Sequence, residues 1–278
     1  MGEIMTVNFE VVINTPVYEV DMKAGLDTLQ GVSDATRIIA ETLVTGKVPQ
    51  RKTYKSDVRT TLKRSFKGSY GHIFSLDISD DELKKEYRKI GASAFSELMS
   101  YFMKEALYLE TDELSEKAQR VILKIENSVE LLIKQLRMSA MVDIHEISTK
   151  FDHDVVINYR KSLTERVPLA KFDRATGLAI KAKRTDEKLS IVAAIRRFNT
   201  NTGNGRLQLE GGDETVAFGF STLYRDVVFA TKKKFSENLD YNNGINIERW
   251  RYVEIIASPI RLPDEKIIKY VVKGFHDD

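Results

Sequence analysis

The sequence predicts an α+β fold in two parts: an N-terminal antiparallel sheet with a long helical hairpin, followed by a five-stranded β-barrel. Three observations predict it. Apolar and polar residues alternate in short segments near the N-terminus, as they do in half-buried strands. Apolar residues then recur at helical spacing through residues 80–138. After residue 188, short alternating segments return, separated by turns that contain glycine.

The N-terminal sheet is predicted from three strands and one helix. Residues 7–13 alternate between apolar and polar side chains, and residues 56–78 do so on both sides of a glycine-containing turn, which is typical of a hairpin. Between them, residues 22–44 carry apolar side chains at helical spacing, and Gly46 and Pro49 follow as stop signals. We therefore expect a helix packed on an antiparallel sheet.

The long helical hairpin is predicted for residues 80–138. Ser79 and Glu82 have the spacing of a capping box, in which two side chains bond the first free N–H groups of a helix. A second helix is expected from Asp112 to Met138, with an apolar stripe broad enough to face either the sheet or a second copy of the chain. The sheet is favoured because it needs a cover. The other arrangement would make a homo-oligomer through residues 80–138.

The domain organisation is predicted from charge and composition. Residues 1–165 are assigned to the α+β domain, 166–187 to a basic connector and 188–278 to the barrel domain. Residues 160–197 contain 11 Lys and Arg against four Asp and Glu, so positive charge is concentrated around the connector and the start of the barrel. A band of this kind attracts polyanions such as nucleic acids, and the same composition is also typical of a solvated linker.

The barrel is predicted from five strands, with a helix between the third and the fourth. The five strands are expected at residues 188–198, 204–210, 215–220, 250–257 and 266–272. The helix is expected at residues 221–235. The run from Asn242 to Gly244 favours a turn before the fourth strand. This order of elements is that of an OB-fold, a small barrel that often binds oligonucleotides.

The first three of these strands carry a family pattern. The chain reads Arg196-Arg197-Phe198-Asn199, then Gly203-Asn204-Gly205-Arg206, then Val216-Ala217-Phe218-Gly219-Phe220-Ser221. This spacing resembles a cold-shock domain, an OB-fold barrel that binds single-stranded nucleic acid and whose frame reads Lys-Trp-Phe-Asn, Gly-Phe-Gly-Phe and Val-Phe-Val-His-Phe-Ser. The resemblance implies a barrel in which the two glycines, Phe198 and Phe220 keep turn and packing positions.

The aromatic rings on which this family stacks bases are absent from the chain. Arg197 stands in place of the tryptophan, Asn204 and Arg206 replace two phenylalanines, and Ala217 and Gly219 replace a phenylalanine and a histidine. Each missing ring removes a stacking contact worth about 1–3 kcal/mol per base. The two arginines offer guanidinium stacking and phosphate contacts instead.

These observations lead to one functional hypothesis and one alternative. The hypothesis is a non-enzymatic protein that binds nucleic acid mainly by charge, through the basic connector and the OB-like barrel. The residues predicted to make the contacts are Lys181, Lys183, Arg184, Arg196, Arg197, Asn199, Asn204, Arg206 and Phe218. The alternative is an oligomeric structural or adaptor protein that uses the helical hairpin and the barrel for protein–protein contacts.

Composition and motifs give no sign of an enzyme, a cofactor or a metal ion. The sequence has no cysteine, which excludes disulfides and thiolate sites and fits a reducing cytoplasm. The histidines lack the paired spacing of a zinc site, and no phosphate-binding glycine loop, nucleophile elbow or kinase signature occurs. No apolar run is long enough to cross a bilayer, so we expect no membrane partner.

Overall fold

The computed structural model of the protein describes residues 4–16, 18–50, 55–66, 70–222 and 224–275. The chain forms two compact units, Met1–Ile180 and Lys181–Asp278. The first is an antiparallel sheet with helices and the second is a closed five-stranded barrel, so the predicted α+β fold is confirmed. Within the described ranges, no helix is both long enough and apolar enough to span a membrane.

The N-terminal unit is built on a five-stranded antiparallel sheet. Its strands are β1 (Met5–Ile13), β2 (Val58–Phe66), β3 (Tyr70–Ile78), β4 (Val155–Arg160) and β5 (Arg166–Phe172). They lie in the order β2-β3-β1-β4-β5, so β1 is central. Alternate residues of β1, from Val7 to Ile13, are buried in the core of the unit. The sequence predicts three strands, and in the structure β4 and β5 extend the sheet along the second side of β1.

The helices of this unit include both arms of the predicted hairpin. They are α1 (Met22–Thr45), α2 (Asp81–Ile90), α3 (Ala92–Glu105), α4 (Glu116–Lys124), α5 (Glu126–Met138), α6 (Ala140–Ile144), α7 (Glu146–Phe151) and α8 (Arg174–Ile180). Each predicted arm is divided. Gly91 separates α2 from α3 with φ 75° and ψ 154°, a conformation that glycine adopts most easily. Ser115 caps α4, so the second arm begins at Glu116 rather than Asp112, and it breaks again at Ile125.

The apolar stripe of the second arm is buried inside the unit. Val121 and Ile133 are partly buried, and its other members are between 0% and 9% exposed, namely Leu114, Ala118, Ile122, Ile125, Val129, Leu132 and Leu136. They form one hydrophobic cluster with α1 and the core side of the sheet. The intramolecular packing that the sequence favours is therefore present, and the fold itself takes up this stripe.

A buried ion-pair cluster lies on the other side of β1. Glu10 is 3% exposed and accepts hydrogen bonds from Arg160 Nη1 at 2.5 Å, Arg166 Nε at 2.8 Å and Asn158 Nδ2 at 3.1 Å. Burial alone would raise the pKa of Glu10, but these hydrogen bonds outweigh it and hold the pKa below its ordinary value of 4.5. The ionised carboxylate thus ties β1 to β4 and β5.

The barrel unit contains six strands and one α-helix among its described residues. They are β6 (Lys183–Arg184), β7 (Leu189–Phe198), β8 (Gly205–Leu209), β9 (Thr215–Phe220), α9 (Phe229–Asn242), β10 (Val253–Arg261) and β11 (Ile267–Gly274). The barrel closes through the pairing of β10 with β11, and β6 adds a short strand to β10. β9 and β11 pair in parallel and the other pairs are antiparallel. This topology is compatible with an OB-like fold.

The helix of the barrel unit begins later than the sequence predicts. Instead of residues 221–235, it spans Phe229–Asn242, and a 3-10 turn at Tyr224–Asp226 precedes it. The Tyr224 ring packs against Phe198 and Phe220, with centroids 5.8 and 5.6 Å apart. Tyr224 lies where helical spacing alone predicts the first turn of the helix, and in the structure its ring makes these contacts from a 3-10 turn instead.

Most of the predicted basic connector, residues 166–187, is folded into the two units. Its first part is β5 and α8 of the N-terminal unit, and the units meet in sequence between Ile180 and Lys181. The charge composition of the sequence does not distinguish β5 from a linker. Arg166 and Lys171 are exposed in β5, whereas Phe172 is buried in the core.

The ring of Phe235 anchors α9 to the barrel core. Phe235 is 0% exposed, and its centroid lies 5.1 Å from that of Phe218, 5.2 Å from that of Phe220 and 5.8 Å from that of Phe198. These rings belong to one hydrophobic cluster that includes the inward residues of all five barrel strands. The helix is therefore a structural part of the barrel.

Glu10→Gln is predicted to lower the free energy of unfolding of the N-terminal unit by about 3 kcal/mol at pH 7, because two arginines lose their carboxylate. The pKa of Glu10 is lowered by folding, so its stabilisation is present above pH 4.5 and is lost as the pH falls below that value. Between about pH 5 and about pH 3, the native protein should lose more stability than the variant.

Urea unfolding followed by circular dichroism at several pH values measures this difference. The control is Glu165→Gln, which removes a half-exposed carboxylate from the loop between β4 and β5. It should behave like the native protein. The same pH dependence in Glu10→Gln and in the native protein would contradict the assignment.

Phe235→Ala is predicted to destabilise the barrel unit by about 3–5 kcal/mol, because it leaves a cavity among packed rings. Phe229→Ala, on the same helix, removes a ring that is 72% exposed and should change stability by less than about 0.5 kcal/mol. Trp250 is the only tryptophan of the sequence and lies in this unit, so its fluorescence during urea unfolding reports on the barrel. Equal effects of the two substitutions would show that Phe235 does not anchor α9.

Candidate nucleic-acid interface

β7 contains one more residue than the segment of β8 with which it pairs. The register shifts between Ile195 and Arg197, so Arg196 has no partner of its own on β8. Ile195 is buried in the barrel core, and Phe198 packs into the same core among aromatic rings. Residues three apart in a regular strand point to opposite faces. The extra residue lets Ile195 and Phe198 both point inward, and it leaves Arg196 and Arg197 on the outside of the barrel.

Two buried asparagines of α9 hold this bulge. The Ile195 N–H donates to Asn238 Oδ1 at 2.8 Å, and Asn238 Nδ2 donates to the carbonyl of Arg251 at 2.8 Å. One helical turn later, Asn242 donates to the same carbonyl and accepts from the Arg251 N–H, at 2.8 and 2.9 Å. These bonds satisfy backbone groups that the ladder leaves unpaired. They also fix β7, α9 and the start of β10 to one another.

A row of basic side chains crosses the outside of the barrel. Arg197 on β7 is opposite Arg206 on β8, Arg206 is opposite Ala217 on β9, and Ala217 is level with Lys269 on β11. Residues that are directly opposite share one face of a sheet. On β6, Arg184 continues the same row, because it is opposite Ile260 and Ile260 is opposite Lys269. We call Arg184, Lys269, Arg206 and Arg197 the cationic row.

The side chains around the middle of the cationic row are held in place. Arg206 donates from Nε to Thr215 Oγ1 at 2.8 Å and from Nη2 to the Thr215 carbonyl at 2.6 Å. Lys269 Nζ lies 3.5 Å from Asn204 Oδ1. A Cβ atom at Gly219 would lie only 2.7 Å from the same Oδ1. The glycine therefore makes room for an amide and an ammonium group where the cold-shock pattern has a ring.

Two of the predicted contact residues serve the fold instead. Phe218 is 0% exposed and packs in the barrel core, away from the outer face where it was predicted to contact a ligand. Its register opposite Gly205 puts it on the inner face, one residue away from the outward Ala217. Asn199 Oδ1 accepts from the N–H groups of Asn201 and Thr202, at 2.9 and 3.2 Å, so this side chain shapes the turn between β7 and β8.

The remaining predicted residues lie outside the cationic row. Lys181 and Lys183 are exposed, and Lys183 is opposite Arg261, one position along from the row. Arg196, the bulged residue, turns toward β10. Its guanidinium carbon lies 4.2 Å from the centre of the Trp250 ring.

Further rings and cations surround Trp250. The Tyr252 ring centroid is 6.5 Å from that of Trp250, and the guanidinium carbon of Arg251 is 3.8 Å from the centre of the Tyr241 ring. The sequence alone predicts only the start of a strand in this stretch. It missed Lys269 as well, because only the parallel pairing of β9 with β11 brings Lys269 to the row.

The buried histidine of the N-terminal unit is part of its packing. His145 is 2% exposed, its Nδ1 lies 2.7 Å from the carbonyl of Met141, and its Nε2 lies 2.9 Å from Thr176 Oγ1. Burial lowers the pKa of His145, which favours the neutral ring. Across the described part of the chain, no group of three His, Asp or Glu side chains is placed to hold a metal ion.

Asn238→Ala is predicted to destabilise the barrel unit by about 1–3 kcal/mol, because the Ile195 N–H loses its buried acceptor. It should also release the bulge, so amide hydrogen exchange at residues 195–197 should become faster. Asn243→Ala is the control, since it removes an exposed asparagine from the end of the same helix. Unchanged exchange in Asn238→Ala would show that α9 does not hold the bulge.

Known proteins add no further guide to this face of the barrel. No protein-family model, curated protein or solved structure matches the chain. The functional assignment therefore depends on the geometry of the cationic row, of the bulge and of the rings around Trp250.

Proposed function

We propose that this protein binds single-stranded nucleic acid through the cationic row, with little preference for sequence. One observation carries the proposal. Arg197 and Arg206 are directly opposite each other on the outer face of a closed barrel, with Lys269 in the same row. Positive charges arranged along one face of a barrel attract a polyanion, and each can contact a phosphate group of its backbone.

The length of the row favours a polyanion over a single small anion. Between Arg197 on β7 and Lys269 on β11, the row crosses four adjacent strands. At about 4.8 Å between strands, that distance is roughly 14 Å. It exceeds the size of one phosphate group, so successive phosphates of a chain match it better. Contacts to phosphates carry no sequence information, which is why we expect weak sequence preference.

The barrel itself supports a single-stranded ligand. Its topology is compatible with an OB-like fold, in which the second and third strands form the oligonucleotide-binding face. The corresponding strands here are β8 and β9, and both lie within the cationic row. The resemblance of β7 to β9 to a cold-shock domain points to the same ligand. Guanidinium groups stand where that family has rings, so charge replaces most of the stacking.

The alternative of an oligomeric adaptor receives less support. The hairpin stripe that would form a self-association surface is buried within the N-terminal unit. The cationic row, in contrast, has the sign, length and position expected for nucleic acid. We therefore advance nucleic-acid binding alone.

Fluorescence anisotropy with a labelled oligothymidylate of about 12 nucleotides tests the proposal. The native protein should bind at low salt and lose affinity steeply as salt is raised. The double variant Arg197→Ala, Arg206→Ala should bind about tenfold more weakly. When log affinity is plotted against log salt concentration, the slope for this variant should be smaller in magnitude by about 1.4, because two phosphate contacts are lost.

The matched control is Lys85→Ala, Arg120→Ala, which removes the same charge from exposed positions of the N-terminal unit. It should bind nearly as well as the native protein. The proposal is wrong if both double variants lose the same affinity, or if the native protein binds no oligonucleotide at low salt.

A further inference from the structure

We infer that Trp250 and Tyr252 stack the bases of the bound strand, beside the cationic row. This inference rests on the proposed function and adds to it the part of the ligand that is recognised, namely unpaired bases. It also assigns a positioning role to Arg196. The observations that carry it are the position of these rings, the bulge that links them to the row, and the charge around them.

The rings needed for stacking are absent from the face where the cold-shock pattern has them. On β7, β8 and β9 the outward positions hold Arg197, Arg206, Ala217 and Gly219, while the phenylalanines of these strands belong to the core cluster. Trp250 and Tyr252 are only half-buried and lie just before β10, the neighbour of β7 on its other side. They provide outward aromatic surface next to the bulge.

The Trp250 ring is held in a fixed orientation. Its Nε1 donates to the carbonyl of Ile245 at 2.9 Å, which sets the plane of the indole. The Arg196 guanidinium covers it at 4.2 Å from the ring centre. Pre-orientation reduces the entropy that a stacking side chain loses when it binds. Arg196 is thus a positioning residue that orients the platform.

The bulge of β7 joins this platform to the cationic row. Arg196 and Arg197 are consecutive and both point outward, the first toward Trp250 and the second toward Arg206. A strand whose phosphates follow Arg197 and Arg206 therefore passes directly beside the indole. In such a path, the bases of the strand turn to the β10 side.

The charge around the platform suits a polyanion. Arg249 and Arg251 flank Trp250 in sequence and are exposed. Among the residues that the structure describes, no carboxylate lies within ion-pair distance of Arg196 or Arg251. Glu254, two residues after Tyr252, accepts a hydrogen bond from Ser190 Oγ at 2.5 Å.

The chemistry of stacking selects unpaired bases. A flat ring stacks on the face of a base, and that face is accessible in a single strand but covered in a duplex. Neither a duplex nor a sugar-phosphate chain without bases offers such a face. The platform should therefore discriminate between these ligands, whereas the cationic row should bind all three.

Intrinsic fluorescence of the full-length protein tests this inference, because Trp250 is its only tryptophan. The three probes are oligothymidylate, an abasic strand and a duplex, all of about 12 nucleotides or base pairs. Oligothymidylate should quench the fluorescence as a base stacks on the indole. The abasic strand and the duplex should bind, as measured by anisotropy, and leave the fluorescence nearly unchanged.

Affinity measurements on variants complete the test. Trp250→Leu should bind oligothymidylate about tenfold more weakly and the abasic strand as the native protein does. Trp250→Phe should keep most of the affinity, and Phe229→Leu, which removes another exposed ring of the unit, should keep all of it. Arg196→Gln keeps the indole but removes the group that orients it, so it should reduce the quenching by oligothymidylate.

The outcomes separate this inference from the proposed function. Binding of all three probes with equal quenching, or with none, overturns the stacking role and leaves the cationic row intact. Absence of binding by every probe at low salt overturns the proposed function itself. The quenching measurement uses the native protein, so the inference remains testable even if Trp250→Leu fails to fold.

Discussion

The extra residue in β7 determines the direction of the side chains on which the functional account depends. With it, Ile195 and Phe198 both enter the barrel core and Arg196 and Arg197 both point outward. The N–H of Ile195, the residue that precedes the bulge, donates to Asn238 Oδ1 of α9 at 2.8 Å. The helix therefore stabilises the barrel and also sets the geometry of its outer face.

The barrel strands bury apolar side chains on their inner face and present charged side chains on their outer face. Phe218 is buried against other rings, while the preceding Ala217 lies between Arg206 and Lys269 on the outside. Substitutions on the outer face therefore leave the core largely intact. The N-terminal unit uses its arginines differently. Arg160 and Arg166 bond the buried Glu10 and hold strands together, so a high arginine content alone does not identify a ligand site.

The sequence predicts the architecture well, because alternation and helical spacing are local signals. It identifies Arg197 and Arg206, and pairing in the structure brings them together. It cannot reveal Lys269, whose place depends on a parallel pairing between distant segments. It also misplaces Phe218, because a bulge and a register decide which face a strand residue occupies. The basic residues of β5 resemble a linker in composition, since charge counts do not show that alternate side chains are buried.

Photochemical crosslinking of the full-length protein to a single strand that carries a photoreactive uridine analogue, followed by mass spectrometry, tests the central claim most directly. The account predicts crosslinks in peptides that contain residues 196–206 and 249–252, where the cationic row meets the rings beside the bulge. These crosslinks should disappear at high salt. Crosslinks confined to residues 4–180 would contradict the account, because they would place the bound strand on the other unit of the chain.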